Sequence, residues 1–114
     1  MLRRMKNQQH MAMPKYLFTF GYETPIQAKN NNQYGLDDED SLNVFIKAEN
    51  ELQALEWGRE IAEDYVRKLY QDPAISWKAQ GFSHWIEKNL EKYGQKALSK
   101  IPTVKTGEYP KWVV

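Results

Sequence analysis

The chain has 114 residues, enough for one hydrophobic core and too few for two independent ones. Val, Ile, Leu and Phe account for only 24 residues, but four Trp and seven Tyr supply the large buried areas that disordered chains lack. There is no Cys, which excludes disulfides, thiolate metal sites and thiol nucleophiles, and the net charge of +1 gives no global attraction to nucleic acid or membrane. The charge is blocky nonetheless: +4 over residues 1–36, −7 over 37–72 and +4 over 73–114.

Residues 1–12 show no periodicity and are expected to form a flexible arm. His10-Met11 before Met13-Pro14 makes this arm a candidate vector remnant. It begins basic but has no apolar h-region, and no apolar run approaches the roughly 18 residues of a membrane span. The expected setting is cytoplasmic, with no membrane partner.

Lys15 to Tyr22 alternates with period two, placing Tyr16, Phe18, Phe20 and Tyr22 on one strand face and Leu17 and Thr19 on the other. Thr24-Pro25-Ile26-Gln27 carries helix-start signals, followed by a helix of only a turn or two. Asn30-Asn31-Asn32 and Gly35 open a polar loop to Asp40. Ser41 to Ala48 is a second strand with Leu42, Val44, Ile46 and Ala48 on one face. Asn50 then caps the strongest helix, Glu51 to about Gln71, whose stripe runs through Leu52, Leu55, Ala62, Val66 and Leu69 with Trp57, Ile61 and Tyr65 on its flank. Asp72-Pro73 ends it.

Beyond Pro73 the spacing predicts a short third strand on Ile75, Trp77 and Ala79. A second helix is predicted from a Ser83 cap through Trp85, Ile86, Leu90 and Tyr93, ending at Gly94 or resuming through Leu98. Residues 101–114 read as an extended tail whose Trp112-Val113-Val114 end docks on the domain of residues 13–100. The alternative is that it adds a strand to a partner's sheet edge. The expected fold is α+β, a two-layer sandwich. A three- to four-stranded sheet in β-β-α-β-α order carries the long helix across one face.

The acidic run Asp37 to Asp40 lacks the alternate spacing and central Gly of a calcium loop, and only His10 and His84 offer imidazole. No cofactor or metal site is expected. Glu56, Glu60 and Asp64 share a helix face, but Arg59, Glu63, Arg67 and Lys68 around them describe a charged outer surface. No glycine-rich phosphate loop or nucleophile elbow is present.

The expected function is therefore a small non-catalytic protein-binding domain of adaptor, inhibitor or immunity type, acting on another protein or on its own copies. Candidate interaction residues are Trp77, Trp85, Lys88, Lys92, Lys96 and Trp112. One alternative is a nucleic-acid binder using a lysine stripe at 88, 92, 96 and 100, with aromatics that stack on bases. The other is a small enzyme with a site near His84.

Overall fold

The computed structural model describes residues 13–113, so the N-terminal arm and Val114 lie outside the described residues. The elements are β1 (Lys15–Tyr22), α1 (Pro25–Tyr34), β2 (Asp40–Lys47), α2 (Glu51–Tyr70), β3 (His84–Glu87), α3 (Gln95–Ser99) and β4 (Thr103–Lys105). They form one mixed sheet in the order β3-β1-β2-β4, antiparallel except for the parallel pair β2–β4. With the 20-residue α2 packed on it, this is the expected α+β architecture.

α2 covers the face that carries Phe18, Phe20, Tyr22, Val44 and Ile46, all buried. Its start is fixed by Asn50, whose side chain accepts the Gln53 amide at 2.8 Å, and its end by Gln71 in the left-handed conformation (φ 54°). Gly58 rests on the Phe18 ring, and a Cβ there would fall inside the ring's van der Waals surface. The glycine that weakens the helix by about 1 kcal/mol thus sets how closely α2 lies on β1.

The opposite face is more thinly covered. Leu17 and Phe45 are buried there without belonging to the α2-facing core. Lys15 Nζ sits 4.5 Å from the Phe45 ring centre, and Leu90 and Leu98 line shallow grooves over the pair.

Three expectations are corrected. The first helix runs ten residues through the Asn triplet. Thr24 and Gln27 close a capping box, Gly35 (φ 67°) ends the helix, and Asn31, expected to break it, is instead buried. Its side chain donates to Glu23 Oε2 and to Asp38 O and accepts the Asp38 amide, tying helix and following loop together.

Ile75–Ala79 is no strand but a turn leading into a 3₁₀ turn at Lys78–Gln80. Glu63 bends the chain there by accepting the Lys78 amide (2.9 Å) and the Ser76 hydroxyl.

The helix expected from Ser83 is β3, then a 3₁₀ turn at Leu90–Lys92, then the five-residue α3. β1 has a second edge of buried backbone groups that need partners, and pairing with His84–Glu87 supplies them, which outweighs a local cap signal. Residues 101–113 include β4, whose Val104 is buried, and Trp112, whose ring lies 6.2 Å from Phe20 and 5.2 Å from Tyr65.

Candidate protein-binding edge

β3 is an outer strand, and the segment before it is firmly anchored. Trp77 is almost wholly buried and its Nε1 donates to Gly21 O at 2.7 Å. Glu63, also buried, gathers the Lys78 amide, the Ser76 hydroxyl and the Arg67 guanidinium (3.2 Å). Burial by itself would raise the Glu63 pKa; the Lys78 amide, the Ser76 hydroxyl and Arg67 outweigh it and hold the carboxyl below its ordinary value.

Gly21 N donates to Ser83 O at 2.8 Å. Antiparallel ladders bond alternate residues, so Ser83, Trp85 and Glu87 face β1, whereas His84 and Ile86 turn their N–H and C=O groups away from it. Among the described residues no strand and no side chain bonds those outward groups. This edge is open.

The other outer strand is capped at one of its two outward residues. In the parallel pairing of β4 with β2, Pro102 O accepts the Phe45 amide and Thr106 N donates to Lys47 O, so the backbones of Thr103 and Lys105 point outward. Among the described residues Thr103 has no partner for its backbone, whereas Glu108 caps Lys105: the Lys105 amide donates to Glu108 Oε1 (2.8 Å) and the Glu108 amide to Lys105 O (2.9 Å). Trp57 Nε1 donates to Glu108 O and fastens this turn to α2. A broad concavity of about 850 Å³ lies beside it, lined by Lys100, Val104, Tyr109, Lys111 and Trp112.

The candidate residues do not converge. Trp77 is core, not surface. Trp112 packs against Phe20 and Tyr65 and is half-buried. Trp85 is 41% exposed beside the open edge, its Nε1 donating to Glu87 Oε1.

The lysine stripe is not formed, because residues 88–100 are not one helix. Lys88 pairs with Glu51 of α2 at 3.0 Å, on the helical side of the sheet. Lys92 pairs at 2.6 Å with Glu87, which the strand alternation places on the opposite face. Lys96 is exposed on α3. The Lys92 ammonium, with the Trp85 indole and the Asn89 amide, pulls the Glu87 carboxyl down to about 2.

His84 Nδ1 lies 3.0 Å from Phe82 O, and its ring packs against Trp77 and Phe18. The helix-face carboxylates also part company: Glu60 pairs with Lys78 and Asp64 accepts from the Tyr109 hydroxyl.

Sequence reasoning missed the backbone of His84 and Ile86 and the side chain of Arg59. The period-two alternation Phe82, His84, Ile86 was the available signal for the strand. Comparison with protein-family models, curated proteins and solved structures gives no match to this chain.

Proposed function

We propose that this domain is a non-catalytic protein-binding module of adaptor, inhibitor or immunity type that takes an extended segment of another protein onto the β3 edge. The observation that carries the reading is the pair of outward-facing backbone units at His84 and Ile86, unbonded among the described residues and set beside the half-exposed Trp85. Strand addition draws affinity from such main-chain groups and selectivity from the side chains that flank them. The reading keeps the cytoplasmic setting expected from the sequence; among the described residues no helix is long and apolar enough to cross a membrane.

Ile86→Pro tests it. Proline removes one outward N–H without touching the bonds of Trp85 and Glu87 to β1, but it also trims the half-buried Ile86 side chain from the core, so stability should fall by about 1–3 kcal/mol with the chain still folded. Partner proteins captured by the parent chain should bind Ile86→Pro at least about tenfold more weakly, the worth of one lost interfacial hydrogen bond. Equal capture by a folded Ile86→Pro chain contradicts the reading.

A further inference from the structure

The flank of α2 that overhangs the β3 edge holds an arginine with one N–H unsatisfied among the described residues. Gly58 faces β1, so its two neighbours point to opposite sides of the sheet. Trp57 reaches Glu108 beside β4, which leaves Arg59 on the β3 side. Two contacts bracket that side: Glu51 with Lys88 just after β3, and Glu63 with the Lys78 amide in the segment before it. α2 therefore runs alongside β3 in the opposite direction, with Arg59 between the brackets. Its Nε is buried and has no hydrogen-bond partner, and among the described residues its guanidinium makes no ion pair. A buried guanidinium N–H left unpaired is costly, and a carboxylate that meets the guanidinium fork is the natural complement. Leu52, two turns earlier on the same flank, is 63% exposed.

Resting on the strand-addition reading, we infer that the β3 edge selects an extended segment of a partner protein carrying a carboxylate side chain for Arg59. The register follows from element geometry. Counting back from Lys88 opposite Glu51, at about 3.3 Å per strand residue and about 1.5 Å per helix residue, His84 lies level with Arg59 and Ile86 with Leu55. In the added strand, the residue opposite His84 turns toward α2 and bears the carboxylate. The residue opposite Ile86 turns the same way, over Leu52 and Leu55, and is apolar. The residue between them lies on the other face, against Trp85. A second copy of this chain is the wrong occupant, because pairing β3 with β3 about a two-fold axis would bring one Arg59 toward another.

The test selects a phage-displayed random heptapeptide library against the full chain, then measures a selected peptide by calorimetry and amide NMR. Expected are Asp or Glu enriched at one position, an apolar residue two positions away, and perturbed, exchange-slowed amides at His84 and Ile86. Replacing that acid by its amide should weaken binding at least tenfold in the parent and much less in Arg59→Met, with Arg59→Lys between. Peptides that protect His84 and Ile86 but bind equally as acid and amide overturn the carboxylate inference and leave the edge reading standing. A library yielding no peptide that perturbs these two amides overturns both. So does a chain that dimerises through this edge, seen as protection that grows with concentration in the absence of peptide.

Discussion

The two outer strands of this sheet meet the same problem to different degrees. β4 is three residues long and its outward backbone at Lys105 is capped by Glu108, in a turn that Trp57 pins to α2. β3 is four residues long, is anchored at its entry by Trp77 and Glu63, and among the described residues leaves His84 and Ile86 uncapped. Unpaired edges invite association, and proteins usually shorten, charge or cover them. A fold that caps Lys105 of one edge with a dedicated turn, and among the described residues leaves both outward residues of the other uncapped, is arranged asymmetrically. The asymmetry directs attention to β3.

The largest expected effect comes from removing the anchor of the open edge. Trp77→Ala deletes a buried indole and its bond to Gly21 O, and should cost about 3–5 kcal/mol in chemical denaturation. An unchanged midpoint would mean that the segment leading into β3 is not held by Trp77.

A smaller perturbation makes the two edges alike. Glu108→Ala removes the acceptor of the Lys105 amide; it should cost about 1 kcal/mol and speed amide exchange at Lys105 while leaving the β3 amides unchanged. If Lys105 stays protected, its amide is covered by something other than Glu108.

The smallest effect is electrostatic. Glu87 is held down to about 2 from an ordinary 4.5, chiefly by Lys92, with Trp85 and Asn89. A folded-state value below the unfolded one gives a contribution that is complete above about 4.5 and is lost as pH falls through about 2. The Glu87 carboxyl resonance should accordingly titrate near 2 in the parent and move toward 4.5 in Lys92→Met. A parent midpoint already near 4.5 would remove the Lys92–Glu87 link that ties the Leu90–Lys92 turn to the outer face of β3.

Legibility in the sequence falls off after Pro73, and of the elements before it only the length of α1 was misread, because the buried Asn31 side chain is satisfied by Glu23 and Asp38. β1, β2 and α2 were readable because their buried faces follow a single period each: Phe18 with Phe20, Val44 with Ile46, and Ala62 with Val66. After Pro73 the signals compete. Trp77 alternates with Ile75 and Ala79 as a strand would, but its placement is decided by the Gly21 carbonyl, 56 positions away in sequence. Ser83 has the chemistry of a helix cap, yet its carbonyl is taken by Gly21 and the chain continues as β3.

The candidate site was hidden for a related reason. Arg59, Glu63, Arg67 and Lys68 read as a solvated helix face, whereas Glu63 is buried under the Ser76–Lys78 turn and Arg59 Nε is desolvated. Local spacing identifies a charged stripe; only the path of residues 75–87 determines whether that stripe meets water or protein. Trp85, singled out for its aromatic character, does lie beside the open edge, although on a strand where a helix was expected.

The most direct test of the central claim is residue-resolved amide hydrogen exchange on the free chain. The account expects His84 and Ile86 to exchange close to unprotected rates. Trp85, which faces β1, and Lys105, bonded to Glu108, should be slowed by about a hundredfold or more. His84 and Ile86 amides slowed as strongly as Trp85 would mean that the β3 edge is already covered, and would contradict the account.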